Sequence, residues 1–393
     1  MDFKKAINGG ILLLLLITLT TGGYANGLNG GRGLTYVKSA WNLKPGYLTL
    51  YARSQVFGKV ADWPSSTNSA VSYWNIQGAL SFNYGISDHI EVAISPIMYQ
   101  DTQRGEKKYM MPGDLLMGLK FGSYNIKGSS LTWGVSVDAR FPTGKEANIV
   151  FEPYNAGTVE WGFTGMLSYS KDPLYPDENL NVDFNLGYLN HNDVGKKLSD
   201  NPFDNVSVTS MTQELLYGLG IKIPTSDFDF SVELYGNSFI QKPPKETAYS
   251  VENYFYLTPM INYHAYRWLT LKVGADFRLS SNKDETTYEY INPFPPSLPN
   301  YPSWRINFGM NIVLLPTSVY KVSDKDVLIK KAESRRELFE QIIREQRQTE
   351  SAEEELQRIK AERRKAEREL ERLRRILEGD KKKKKTSEPP PQQ

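Results

Sequence analysis

The chain of 393 residues has no cysteine, which excludes disulfides and an acylated-cysteine anchor. It also lacks long apolar runs. The single one, Ile11 to Leu19, follows Lys4 and Lys5 and is too short to span a bilayer comfortably. With the small-x-small string Gly23-Tyr24-Ala25 it reads as a secretory leader over residues 1–25, so the mature chain is expected to begin at Asn26. Histidine is scarce as well, with 3 in all. His89 and His264 fall in or beside short turns, and His191 with Asp193 opens a long loop, where such a pair is expected to be solvated rather than catalytic. There is no Gly-x-Ser-x-Gly and no His-Glu-x-x-His string. An enzyme is therefore not expected, and neither are a metal, a cofactor or a nucleic-acid partner.

What the chain does have is alternation. Leu131 to Phe141 is apolar at every odd position and small, polar or charged at every even one. Successive side chains of a strand point to opposite faces, so this stretch has one oily face and one wet face. The pattern recurs in Tyr47–Val56, Trp74–Ile86, Ile90–Tyr99, Asp114–Phe121, Val159–Tyr169, Leu180–Leu189, Glu214–Ile223, Phe228–Gly236, Glu252–Tyr263, Leu269–Ser280 and Trp304–Leu314. Connections alternate between short, as at Ser87-Asp88 and Pro224–Asp227, and long and polar, as at Pro142–Gly157 and His191–Thr209. Strands of about ten residues suit a tilted bilayer crossing, and only helices and closed barrels satisfy their backbone in lipid. The expected fold class is all-β, a transmembrane antiparallel up-and-down β-barrel of about 12 strands with a C-terminal periplasmic α-helix. Both ends of the barrel would lie on the short-turn, periplasmic side.

If the oily faces meet lipid, the opposite residues line the lumen. These are Arg53, Glu91, Asp114, Lys120, Asp138, Arg140, Glu160, Asp183, Glu214, Lys222, Asp229, Glu233, Glu252, Lys272, Asp276, Arg278 and Arg305. Mixed signs leave two readings: a polar conduit for small hydrophilic solutes, or a lumen closed by paired charges. The Gly-rich segment 26–45, with Gly27, Gly30, Gly31 and Gly33, either lies in the periplasm or enters the lumen as a plug.

Aromatics gather near strand ends, among them Tyr84, Tyr124, Tyr169, Tyr188, Tyr263, Tyr266, Trp268 and Trp304, as at a membrane interface. In the last strand, Asn307-x-Gly309-x-x-Ile312-x-Leu314 resembles the signal by which assembly machinery recognises outer-membrane barrels. Two further fragments, Gly113-Asp114-Leu115 with Gly118-Leu119-Lys120 and Phe141-Pro142-Thr143-Gly144, resemble the phenol-degradation (meta-pathway) outer-membrane transporter family. That resemblance implies an outer-membrane barrel with a transport role and names no solute.

The barrel is expected over 46–316, and the tail is a different object. From Lys321 onward there are 22 basic and 17 acidic residues, against 25 and 28 before it. Asp326 to Glu378 has no Pro or Gly and reads as a helix, within a charged helix or coiled-coil region at 322–379. Ala352, Leu356, Ile359, Ala366, Leu370, Leu373 and Leu377 form an imperfect seam, and Glu340–Arg344, Glu354–Arg358 and Glu371–Arg375 are spaced for i,i+4 pairs. Such a helix would reach about 80 Å. Residues 380–393, with Lys381–Lys385 and Pro389–Pro391, are expected to be disordered. The sequence thus favours an outer-membrane channel for small solutes. The alternative is an envelope tether or assembly protein, with the barrel as anchor and the helix as an arm. The partners in view are outer-membrane lipid, the barrel assembly machinery, the cell wall or a periplasmic protein, and a second copy of the chain.

Overall fold

The computed structural model describes residues 30–62, 70–103, 107–110, 113–173, 175–292, 298, 300–320, 332–333, 335–337, 339–340, 343–344 and 353–371. The leader, residues 26–29 and the tail from 372 lie outside the described residues.

The strands are β1 (Leu48–Asp62), β2 (Ala70–Ser87), β3 (Ile90–Gln103), β4 (Lys107–Met110), β5 (Leu115–Asn125), β6 (Leu131–Phe141) and β7 (Glu160–Ser170). They continue as β8 (Asn181–Asn190), β9 (Gln213–Pro224), β10 (Phe228–Gln241), β11 (Tyr254–Tyr266), β12 (Leu269–Arg278) and β13 (Trp304–Leu315). Each pairs antiparallel with its neighbours, and β1 closes the ring on β13 from Leu48↔Leu315 to Val56↔Ile306. The result is a closed up-and-down barrel of 12 strands, and β4 is a short addition beside the end of β3. Closure leaves no barrel edge with unpaired backbone groups, which a lipid environment demands.

The distribution of polarity is inverted relative to a water-soluble protein. In β8, Asp183 and Asn185 are 3% and 6% exposed, whereas Phe184 and Leu186 are 47% and 49% exposed. In β6, Thr132 and Ser136 are buried while Trp133 and Val137 face out. The same exposed apolar face continues through Leu119, Phe163, Leu219, Phe230, Ile261, Val273 and Phe308. Exposed Tyr84, Tyr169, Tyr263, Tyr266 and Trp304 stand near strand ends, and Trp268 stacks on Tyr266 at 5.4 Å.

Among the strand limits that shift, two carry expected interior residues. Glu252 lies before β11, in the β10–β11 loop, because its carboxylate accepts from the Glu285 amide at 2.6 Å and from Asn300 at 2.8 Å. Asp114 precedes β5, where it accepts from the Gly144 amide at 3.0 Å and from Arg140 at 2.7 Å. The Thr143 hydroxyl also donates to the Gly113 carbonyl at 2.7 Å. The Gly113-Asp114 and Phe141–Gly144 fragments are therefore one hydrogen-bonded unit that fixes where the β6–β7 loop leaves the wall.

The last strand explains its own motif. Asn307 is buried and donates to Asp276 at 2.6 Å. At Gly309 a Cβ would stand 2.6 Å from the Tyr51 ring, so the missing side chain is what admits that ring. Ile312 and Leu314 are half-buried.

The chain separates into two compact units at Lys321/Val322. In the second, 353–371 is helical and exposed throughout. Its ion pairs run from Arg to Glu, Arg358–Glu362 at 3.6 Å and Arg363–Glu367 at 3.1 Å, rather than forward from Glu354 to Arg358. Each is too solvated to add more than a few tenths of a kcal/mol, about the value of an exposed helix pair. The rest of the expected helix lies largely outside the described residues.

Val137→Arg, in the middle of the exposed face of β6, should destabilise the barrel in a bilayer by about 2–4 kcal/mol. Denaturant titration in lipid vesicles measures it. Ser136→Asn on the buried face should not reproduce that loss.

Candidate functional site

Residues 30–45 occupy the lumen as a plug. Gly31, Arg32, Leu34, Thr35, Val37, Ser39, Ala40, Trp41, Asn42 and Leu43 are all buried. A segment without a strand partner must find other partners for its buried amides and carbonyls. Within the plug the Leu34 amide donates to the Val37 carbonyl at 2.8 Å and the Ser39 amide to the Arg32 carbonyl at 3.1 Å, and side chains of the wall supply further partners. Glu233 accepts from the amides of Thr35, Tyr36 and Val37 at 2.9, 2.8 and 2.9 Å. Glu91 accepts from those of Arg32 and Leu43 at 2.6 and 2.8 Å. The Lys120 ammonium donates to the carbonyls of Arg32, Ser39 and Trp41 at 3.2, 3.4 and 2.9 Å, and pairs with Glu91 at 3.1 Å. Asn185 exchanges two hydrogen bonds with the Lys38 backbone, and the Ala40 amide donates to Ser168 at 2.8 Å. At Gly122 any Cβ would run into the Ala40 carbonyl, so the plug backbone can lie directly on β5 there.

Side chains of the plug add ion pairs: Lys38 with Asp138 at 2.6 Å and Arg32 with Asp177 at 2.7 Å. Tyr36 stacks on Tyr235 with ring centroids 3.7 Å apart, and its hydroxyl donates to Asp276. Tyr235 stacks in turn on Tyr256 at 5.5 Å, and the Arg305 guanidinium lies 5.1 Å from the Tyr256 ring.

The other expected interior charges also have defined partners. Arg305 donates to Asp276 at 2.9 Å, and Arg140 lies 3.8 Å from Glu160. Lys222 donates to the Asp177 carbonyl at 3.0 Å, Asp183 accepts from Ser168 at 2.5 Å, and Asp229 lies 3.1 Å from His264. Lys272 sits 4.6 Å over the Tyr51 ring. Arg278 reaches into the β12–β13 loop, donating to Tyr301 and Asn282. Arg53 donates to Gln77 at 3.1 Å.

At the long-loop end, loops fold over the barrel mouth. Phe57, Tyr73, Val150, Phe151, Tyr249 and Leu298 form an apolar cluster, with Phe57 edge-on to Phe151 at 5.2 Å. Asn148 ties the β6–β7 loop to the Thr247 carbonyl at 2.7 Å. Between this cap and the plug lies a cavity of about 290 Å³. Tyr36 and Lys38 of the plug, Glu152 and Tyr154 of the cap, and Arg53, Gln77, Tyr235, Tyr254 and Arg305 of the wall are among its lining. Tyr235, Tyr254 and Tyr256 share strand parity with Glu233 and Glu252, so alternation places them inside, but it carries no signal for the plug residues. Three glycines around Arg32 within residues 30–33, followed by Lys38, are the available clue.

His191 corrects the expectation of a solvated loop pair. It is buried, and its ring nitrogens contact Glu160 at 2.8 Å and Glu214 at 3.2 Å. Asp193 instead accepts from the Tyr154 hydroxyl and the Thr212 amide. Burial alone would lower the His191 pKa, but the two carboxylates outweigh it and hold it up at about 10. The imidazolium is thus a tie between β7, β9 and the loop after β8.

No protein-family model matches the chain, and no curated protein matches its sequence. Among solved structures, the NanC porin is 10% identical, with 67% of this chain and 98% of that one covered and a TM-score of 0.42. An outer membrane channel from Pseudomonas putida F1 is 11% identical over 70% of this chain and 98% of its own, also with a TM-score of 0.42. The translocator domain of the autotransporter NalP from Neisseria meningitidis is 11% identical over 69% and 89%, with a TM-score of 0.38. The chain's own geometry defines its class: a plugged β-barrel with an apolar exterior and a charged, hydrogen-bonded interior.

Two outcomes follow for the site. Glu233→Gln should weaken the plug at its triple amide anchor, and hydrogen exchange should show protection of amides 35–37 falling while strand amides keep theirs. The His191 pKa is raised from 6.5 to about 10, so its stabilisation is complete below about pH 6.5 and is lost as pH rises through about 10. Thermal unfolding in detergent should show that alkaline loss, and His191→Gln should flatten it.

Proposed function

We propose that the protein is an outer-membrane channel for small solutes, with residues 30–45 as its displaceable stopper and the central cavity as the station a solute passes. The observation that carries this reading is the cavity of about 290 Å³ lined by plug, cap and wall. A barrel that served only as an anchor would have no need of such a space. The manner of plug attachment supports the same reading. The plug is held at named points by Glu91, Lys120 and Glu233, groups that water can re-solvate when the segment leaves. Secretion through the N-terminal leader, and the exposed apolar belt, fit an outer-membrane location with short turns and tail on the periplasmic side. Outer-membrane lipid and the assembly machinery are then its partners.

The tail favours a second role beside transport. The helix at 353–371 is wholly exposed and belongs to its own compact unit. A charged arm of that kind suits contact with the cell wall, a periplasmic protein or a second copy.

Planar-bilayer recordings test the channel. The full chain carrying Glu233→Ala and Lys120→Met should conduct several-fold more than the wild type. Absence of conductance in both, together with no swelling of solute-loaded proteoliposomes, would sink the reading. Deleting 321–393 should leave conductance intact while abolishing any pull-down with cell wall.

A further inference from the structure

The Tyr36 hydroxyl, which donates to the Asp276 carboxylate, is also met by donors. Gln55 donates to that oxygen at 2.7 Å, and Arg305 approaches it at 3.5 Å. Arg305 is already neutralised by Asp276 at 2.9 Å. Asp276 is itself saturated, accepting from Thr258, Asn307 and Arg305 in addition to Tyr36.

Arg53 is different. It is 7% exposed and lines the cavity, yet its Nε and Nη1 have no hydrogen-bond partner. Its Nη2 gives one bond to Gln77, which leaves one full edge of the guanidinium fork uncommitted. A buried cation with free donors is costly unless something completes it. In the plugged state those donors are shut off from water, and the plug residue Tyr36 occupies the adjacent position.

The geometry points to this pocket as the anion subsite of the channel: when the plug moves aside, a carboxylate of the solute docks on the free guanidinium edge of Arg53, with the Gln55 amide that Tyr36 releases as a second donor. The subsite rests on the channel reading above and gives it a substrate class, small solutes bearing a carboxylate. A planar two-oxygen anion matches the free edge of a guanidinium better than a point charge does. Tyr36 is then a placeholder, its neutral oxygen accepting the bond from Gln55 that the solute would accept.

Swelling of proteoliposomes containing the full-length protein tests this with three sugars of similar size: glucuronate, glucose and glucosamine. The wild type should admit glucuronate faster than glucose by roughly three- to tenfold, and glucosamine slowest. Arg53→Gln should bring the glucuronate-to-glucose ratio down toward one, and Arg53→Lys, which keeps charge without the fork, should give an intermediate ratio. Tyr36→Ala should speed glucuronate entry. Should Arg53→Gln fail to fold, the reversal potential of the wild type in a KCl gradient decides, and it should lie on the chloride side. Equal passage of the three sugars, a cation-side potential, or an unchanged ratio in folded Arg53→Gln would overturn the subsite while leaving the channel standing. If no sugar crosses even after Glu233→Ala with Lys120→Met, the channel reading fails and the subsite with it.

Discussion

The structure depends on one constraint: an oily exterior leaves polar residues nowhere to go but inward. Strand alternation turns every outward Phe, Leu or Val into an inward Asp, Asn, Ser or Lys, as in β8 with Phe184 and Leu186 outside and Asp183 and Asn185 inside. Backbone hydrogen bonding is satisfied by closure of β1 on β13, so the wall itself needs nothing from these side chains. Their hydrogen-bonding capacity is left to be used in the lumen.

The lumen uses it on a piece of chain with the opposite problem. The plug has buried amides and carbonyls and, beyond one bridge between Gly33 and Lys38, no strand to pair with. Glu91, Lys120 and Glu233 act less as members of ion pairs than as caps for plug backbone. A charged acceptor facing several amides forms shorter, stronger bonds than a neutral one, and here it substitutes for a missing sheet partner. This is a third fate for interior charge, beside an open polar path and side-chain pairing. It makes the plug position-specific, because the three anchors lie on β3, β5 and β10 and cannot all be met by a shifted segment.

That fate also marks how far the sequence could be read. Alternation located all twelve barrel strands because lipid exposure repeats every second residue. It underestimated β1, which runs to Asp62, and missed β4, since strand extensions beyond the oily belt lose the alternating pattern. The inward charges could be named, but not their partners. Side-chain to backbone contacts between residues as far apart as Val37 and Glu233 leave no periodic trace. His191 was misjudged for the same reason: Glu160 and Glu214, which bury and charge it, come from two other strands.

Plug and cap differ in kind, and the difference bears on which one yields. The cap holds an apolar cluster around Phe57 and Phe151, and loosening it exposes hydrocarbon to water. The plug carries apolar residues too, but its specific anchors are polar, and each bond lost to the wall can be remade with water entering behind it. Tyr36 joins the two regimes, with a ring stacked on Tyr235 and a hydroxyl set among Asp276, Gln55 and Arg305. Its withdrawal opens an aromatic face and a set of donors together, on the side of the cavity that faces the plug. The element most easily re-solvated is thus the one whose departure creates a binding surface, which is the order of events a solute path requires.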